Sequence, residues 1–247
     1  EFPKAKIHQE KNKEERSGLG CSSLFSVKCI LKLCLAMICF LLVLFPHKPV
    51  SEIIFLDVGQ GDAIYIASED GTTCFIDGGS SDVKEVGTYR ILPFLKAHGI
   101  KHIDYWFVSH ADTDHISGLL EILENGYDIR HLVISDKMPE DESQEKLLAL
   151  AEEQEITVIQ MKAEERIESV SCMQTNFSTK DGISISCLYP WSEGVDKNEQ
   201  SLVLFVEFFD KNAANTYRAL FSGDISSKGE AELIRKDVLE NVDLYKA

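Results

Sequence analysis

Within six residues, His110-Ala111-Asp112-Thr113-Asp114-His115, the chain places two imidazoles and two carboxylates. A divalent cation needs several nitrogen or oxygen donors converging on one point, and a loop at the end of a strand is where a rigid scaffold can aim them. Tyr105-Trp106-Phe107-Val108 reads as a buried strand, so His110 emerges at its C-terminal end. His115 then opens a helix whose apolar residues at 116, 119, 120 and 123 keep helical spacing. Alternation at 110, 112 and 114 lets an extended or turn segment show these side chains on one side, with His115 swinging round as the helix begins. An Asp ahead of a helix is also what an N-cap uses, and Asp112 or Asp114 suits that role. Capping accounts for one carboxylate but not for two histidines.

Two more aspartates sit beside glycine at strand ends. Phe75-Ile76-Asp77-Gly78-Gly79-Ser80 closes a strand in Asp-Gly-Gly, and Leu220-Phe221-Ser222-Gly223-Asp224 delivers Asp224. Taken alone, each is a turn, and the second also suits the start of a helix. Beside the His/Asp cluster, Asp224 offers an oxygen able to bridge two ions about 3.5 to 4 Å apart.

The elements that must position these groups can be read around them. Residues 53–58 and 63–66 read as strands about the turn Gly59-Gln60-Gly61-Asp62, and 73–76 follows, an antiparallel meander. Residues 90–98 read as helix, 103–108 as strand, 116–124 as helix, 131–134 as strand, 142–154 as an acidic amphipathic helix and 157–161 as strand. Strands are then expected at 183–188, 202–208 and 217–221, with a helix over 228–236. Strands in two groups with helices between them predict an α/β fold of packed sheets covered outside.

The N-terminal part is different. Residues 29–45 are 17 in number, apolar apart from Lys32, and end before Pro46-His47-Lys48-Pro49, which meets the lower limit for spanning a bilayer core of about 30 Å. A membrane helix over 29–45 is therefore expected, preceded by a basic juxtamembrane segment, 1–28. Lys4, Lys6, Lys11, Lys13, Arg16, Lys28 and Lys32 precede or enter it and Lys48 stands alone beyond it, which puts the N-terminal stretch in the cytoplasm and the following domain outside. Residues 1–50 hold eight Lys/Arg against four Glu, leaving 17 against 37 Asp/Glu in the rest, a balance of −20. No C-x-x-C pair exists among the seven cysteines, which excludes a zinc ribbon or thioredoxin-like motif. Cys74, Cys172 and Cys187 read as buried small hydrophobes, with a Cys172–Cys187 disulfide the alternative in an exported domain.

His110-Ala111-Asp112-Thr113-Asp114-His115 resembles the H-x-H/D-x-D-H motif of the metallo-β-lactamase superfamily, with Asp77 in its preceding Asp-Gly position and Asp224 in its later bridging position. More narrowly, residues 55–63, 109–118, 198–204 and 222–224 resemble, in order, the C-terminal domain of the DNA-uptake proteins called ComEC, over about residues 52–247. The resemblance implies an αβ/βα four-layer sandwich with two divalent ions. His110 and Asp112 would serve the first, Asp114 and His115 the second, and Asp224 would bridge them. His110, Asp112 and Asp114 are the catalytic candidates, Asp114 also as a base. Asp112 stands where the lactamases proper have His, which shifts the site toward oxygen donors and admits manganese beside zinc. Asp57, Gln60, Asp62, Asp77, Asn198 and Ser201 are expected to support these ligands or contact substrate.

The family continues after the bridging Asp with a strand and a His-His-Gly-Ser motif. Residues 241–247 look like the start of that strand, so the chain reads as a fragment cut at both ends, with an unfinished second-metal site and a membrane channel portion of the same protein missing. The implied activity is phosphodiester hydrolysis of single-stranded DNA during natural competence, at the cell membrane with the hydrolase domain extracytoplasmic. A balance of −20 does not by itself point to nucleic acid. The alternatives are an extracellular hydrolase of small phosphodiesters of the phosphocholine type and a non-catalytic scaffold module of an uptake channel.

Overall fold

Period-two alternation along the apolar runs sets which face of each strand is buried against what, and in the computed structural model those runs assemble into two sheets. The structure describes residues 19–44, 49–169, 182–192, 197–209 and 216–247, with side chains of the first helix described for 27–41. The chain divides into two units, Glu1–Lys48 and Pro49–Ala247.

The first unit contributes helix α1 (Leu19–Leu44). Its described side chains are exposed, Leu31 and Leu33 at 70% each and Phe40 at 62%. Among the described residues no helix is long and apolar enough to cross a membrane. Residues 1–18 of the expected basic segment lie outside the described residues, as do the side chains of 42–45 in the expected span.

In the second unit the first sheet has the order β1-β2-β3-β4-β5-β6. The strands are β1 (Glu52–Phe55), β2 (Ala63–Ala67), β3 (Thr73–Asp77), β4 (Ile103–Phe107), β5 (Ile129–Ser135) and β6 (Thr157–Met161). β1, β2 and β3 form the expected antiparallel meander, and from β3 to β6 neighbours are parallel. Parallel neighbours need crossovers. These are a π-helical turn (Gly87–Ile91) running into α2 (Leu92–Ala97), then α3 (Thr113–Glu124), then α4 (Glu142–Glu153). The second sheet, ordered β11-β10-β9-β8-β7, contains β7 (Arg166–Glu168), β8 (Gly182–Tyr189), β9 (Val203–Phe209), β10 (Tyr217–Phe221) and β11 (Leu244–Lys246), with α5 (Ser227–Lys236) before β11.

Three buried clusters define the layers. Ile64, Ile66, Ile76 and Phe107 of the first sheet meet Leu204, Val206 and Phe221 of the second. On the other face of the first sheet Tyr65, Phe75 and Trp106 pack against Ile91, Leu95, Leu119 and Leu147 of the helices. Val203, Phe205 and Leu220, on the outer face of the second sheet, pack against Leu233 of α5. The layering is helix, sheet, sheet, helix, the αβ/βα order expected. Each fully buried side chain of this size contributes about 1.5–3 kcal/mol. Cys74 and Cys187 are buried free thiols, as the packing reading anticipates, and Cys172 lies outside the described residues.

β3, β4 and β5 are parallel, so the loops after them, at 77–80, 108–112 and 136–141, open along one edge, where open α/β sheets place ligands. Two glycines let the 59–62 turn, the 77–80 loop and the start of α3 touch. A Cβ on Gly61 would lie 2.4 Å from the Gly79 carbonyl oxygen and 2.5 Å from that of Asp114. A Cβ on Gly79 would lie 2.5 Å from the His115 nitrogen. Backbone hydrogen bonds fill that close approach. Asp62 N–H donates to the Asp114 carbonyl (3.1 Å), Gly79 N–H to that of Asp62 (3.0 Å) and Gly78 N–H to that of His115 (2.7 Å). Leu119 N–H donates to the Gly78 carbonyl (2.8 Å), so the Gly78 peptide is stitched into the first turns of α3.

Candidate metal centre

β3 ends in Asp77, which is 1% exposed and holds a left-handed φ of 55°. Its Oδ1 accepts from Ser109 N–H and its Oδ2 from Ser109 Oγ–H, both at 2.7 Å. Oδ2 also lies 2.9 Å from His115 Nδ1. An ionised carboxylate only accepts, so Nδ1 of His115 carries a hydrogen, and in the neutral ring Nε2 keeps its lone pair. His110 is fixed one step further out. Its Nδ1 is 3.1 Å from Ser109 Oγ, whose own hydrogen points at Asp77. Nδ1–H donation to that oxygen frees Nε2 of His110 in the same way. One buried carboxylate thus sets the tautomer of both imidazoles, the arrangement that orients metal-ligating histidines.

The freed atoms face carboxylates. His115 Nε2 is 3.4 Å from Asp224 Oδ2 and 4.0 Å from Asp114 Oδ2, and His110 Nε2 is 3.6 Å from Asp112 Oδ2. Donor atoms of His110, His115 and Asp224 all lie within 4.8 Å of one another. Two ligands on one ion at about 2.0–2.2 Å and a tetrahedral angle are roughly 3.4 Å apart, so the spacings fit a divalent cation. Both imidazoles are 2% exposed while the Asp112 and Asp224 side chains are 38% and 41% exposed, which leaves the cluster open to solvent on the carboxylate side.

Asp62, Asp77 and His115 make a second trio with ligand atoms as close. There the atoms are engaged with one another: Nδ1 of His115 is bonded to Asp77, and Asp62 Oδ2, 3.9 Å from that nitrogen, pairs with Lys246 Nζ. This trio supports the imidazole rather than offering a second site.

Without a cation the charges adjust among themselves. Burial opposes protonation of His115, but the Asp77 carboxylate and the Asp224 hydrogen bond outweigh it and raise its pKa from 6.5 to about 10. Burial and the neighbouring His115 hold His110 below its usual value. The hydrogen bond from His115 holds Asp224 below the usual carboxylate range. A proton on His115 therefore occupies the place where a cation would bind.

The structure brings together His110, Asp112, Asp114, His115, Asp224, Asp77 and Asp62, and corrects how three of them get there. Asp114 is not on an extended stretch but in the first turn of α3, because the helix starts at Thr113. Asp112 occupies the N-cap position with extended backbone (φ −86°, ψ 155°) yet makes no side-chain cap bond; its Oδ1 goes to Lys197 Nζ instead, at 2.8 Å. Asp62 acts as much through its backbone as through its carboxylate.

Asp57 and Gln60 are exposed, and neither side chain bonds to the cluster among the described residues. Gln60 N–H donates to Asp82 Oδ1 (2.9 Å), so the turn is a backbone clamp. Asn198 enters through its carbonyl, which accepts from Ser201 N–H at 3.2 Å. Ser201 is fully buried against the site's frame: a Cβ on Gly223 would lie 3.0 Å from the Ser109 Cβ and 3.3 Å from that of Ser201, and Leu202 N–H donates to the Ser109 carbonyl at 2.9 Å. Among the described residues its Oγ has no hydrogen-bond partner. Residue-type reasoning passes over Ser109, Lys197 and Lys246. Ser109 was marked only by standing between the strand and His110, and nothing local marks either lysine.

Residues 56–168 match the Metallo-beta-lactamase superfamily. A metallo-β-lactamase superfamily domain is thereby recognised over residues 56–168, a little under half of the chain. The match includes Asp62, Asp77 and the whole 110–115 cluster, and Asp224 lies beyond it. The metallo-β-lactamase domain is homologous to two curated proteins. Over 222 residues the chain is 28% identical to ComE operon protein 3 of Bacillus subtilis (strain 168), covering 81% of this chain and 26% of that protein. Over 90 residues it is 33% identical to Recombination protein 2 of Haemophilus influenzae, covering 36% of this chain and 11% of that one. The chain thus spans about a quarter of the first relative and less of the second. Among solved structures, the metallo-beta-lactamase fold protein YhfI from Bacillus subtilis aligns with a TM-score of 0.47 at 13% identity, over 81% of this chain and 70% of that one.

Proposed function

We propose that this metallo-β-lactamase domain is a metal-dependent phosphodiesterase that hydrolyses DNA, single-stranded during uptake, at the outer face of a membrane. The observation that carries the reading is the convergence of His110, His115 and Asp224 donor atoms within 4.8 Å, with Asp112 and Asp114 beside them. In this reading His110 and Asp112 would hold one divalent ion and Asp114 and His115 a second, with Asp224 a ligand beside both imidazoles. Three carboxylates to two imidazoles is a hard donor set, suited to manganese as well as zinc. Such ions supply Lewis-acid polarisation of a phosphoryl oxygen and acidification of water. The chain's own part is to fix both imidazoles through Asp77 and Ser109, to keep them dry, and to leave Asp114, 28% exposed, open to solvent as a candidate base.

The resemblance of residues 55–63, 109–118, 198–204 and 222–224 to the DNA-uptake proteins called ComEC supports DNA as substrate. A second reading, a small-phosphodiester hydrolase, is favoured by the −20 balance of residues 51–247, which repels a polyanion. Attachment through residues 29–45 belongs to the proposal, supported by the apolar run and by the lysine and arginine residues on its N-terminal side. The rest of a longer membrane protein is the proposed partner.

The test is hydrolysis by the full chain loaded with manganese or zinc, comparing a labelled single-stranded oligonucleotide with bis(p-nitrophenyl) phosphate. Cleavage of the oligonucleotide, lost in Asp114→Asn, is the expected result. Turnover of the small diester alone supports the second reading, and metal binding with no turnover of either supports a scaffold role.

A further inference from the structure

The Asp112 carboxylate is held from outside its own helix. It stands at the N-cap of α3 with the backbone conformation of a cap, yet its side chain leaves the helix N–H groups uncapped. Oδ1 lies 2.8 Å from Lys197 Nζ, and Oδ2 alone faces His110 Nε2 at 3.6 Å. Lys197 is pinned in turn by Asp141, whose Oδ2 lies 2.7 Å from the same ammonium. Asp141 is itself anchored, because its Oδ1 accepts from Gln144 N–H at 2.9 Å and so caps α4. Three segments far apart in sequence thus form one line: the N-terminus of α4, Asp141, Lys197, Asp112, His110.

We propose that Lys197 is a positioning residue for the metal centre: clamped by Asp141, it occupies Oδ1 of Asp112 and presents Oδ2 alone as a single-oxygen ligand beside His110. The proposal rests on the metal-site reading above and adds to it a residue that touches no ligand atom of the imidazoles. Two features separate it from a surface ion pair. The ammonium is shared between two carboxylates at 2.8 and 2.7 Å, with Lys197 31% exposed and Asp141 27%, so its position is set from both sides. The cap that Asp112 forgoes is a stabilising interaction, so its orientation does not serve the helix. Partly exposed ion pairs add little to folding, whereas partners that orient a ligand typically change metal affinity by about 10- to 100-fold.

Lys197→Met keeps the length of the side chain and removes the charge. Asp141→Asn keeps a good helix cap and releases the lysine. Lys197→Arg restores a cation. The full chain and each variant, stripped with chelator, are titrated with manganese or zinc against a competing indicator, and the coordination of cobalt-loaded samples is followed by visible absorption. The expected result is a loss of affinity of about 10-fold or more in Lys197→Met, a smaller loss in Asp141→Asn, recovery in Lys197→Arg, and a changed cobalt spectrum in Lys197→Met. The double variant should be no weaker than Lys197→Met, because both changes cut one line. Wild-type affinity and an unchanged cobalt spectrum in Lys197→Met and Asp141→Asn overturn the proposal while leaving the metal site standing. Failure of the wild-type chain to bind either metal overturns the site reading, and this proposal with it.

Discussion

Asp77→Asn removes one buried charge without asking the backbone to change, since Asn accepts the left-handed φ of 55° that Asp77 holds. The amide oxygen can keep the Ser109 N–H bond of Oδ1, but an NH2 group then stands where Oδ2 faced Ser109 Oγ and His115 Nδ1. Ser109 can turn its hydroxyl to accept. His115 can accept only by giving up its Nδ1 hydrogen and keeping the one on Nε2, the atom that faces Asp224 at 3.4 Å. Binding a cation at Nε2 then means returning a hydrogen to Nδ1, where it faces the Asn NH2 and leaves a donor unpaired. A hydrogen bond to a charged group is worth about 1.5–3 kcal/mol, which predicts a loss in metal affinity of roughly 10- to 150-fold by chelator competition.

A second readout follows in the metal-stripped protein. The folded-state pKa of His115, about 10, lies above its unfolded value of 6.5, so charged His115 stabilises the fold fully below pH 6.5 and that stabilisation is lost as pH rises toward 10. Over that window urea midpoints of the wild type should fall, with this residue contributing on the order of a few kcal/mol, and Asp77→Asn should flatten the slope. Wild-type metal affinity together with an unchanged pH slope in Asp77→Asn would show that Asp77 does not orient the imidazoles.

Loading the stripped protein with metal at pH 8 should release about one proton, read by calorimetry in buffers of different ionisation enthalpy, because the cation displaces the His115 proton. The melting temperature should drop on chelation and return on adding metal back. Gly61→Ala should destabilise the fold by about 1–3 kcal/mol or more in urea titrations, since its Cβ would meet two backbone oxygens at 2.4 and 2.5 Å. Ser201→Ala should be neutral or slightly stabilising in the stripped protein, because its buried Oγ gives up no hydrogen bond.

What the sequence revealed follows the distance over which the signal acts. Strands 157–161 and 217–221 are set by local apolar periodicity and were legible residue by residue, whereas the helix read over 116–124 starts earlier, at Thr113. The His/Asp cluster was legible because four donors in six residues share one loop. β7, three residues long and paired to β8, lacked the length to show a period. The Gly59–Asp62 turn suggested substrate contacts from its side-chain types, whereas its main work is done by backbone N–H and C=O groups and by the absence of a Cβ at Gly61. Lys197 and Lys246 find Asp112 and Asp62 only across the two sheets, and no spacing in the sequence could announce those pairs.

X-ray absorption at the zinc edge of the loaded chain tests most directly the proposal that His110, Asp112, Asp114, His115 and Asp224 hold divalent metal. The expected spectrum has a first shell of nitrogen and oxygen at about 2.0–2.2 Å with imidazole scattering, lost when both His110 and His115 are replaced by Ala. A sulfur shell at about 2.3 Å, or zinc retained unchanged in that double variant, would contradict it.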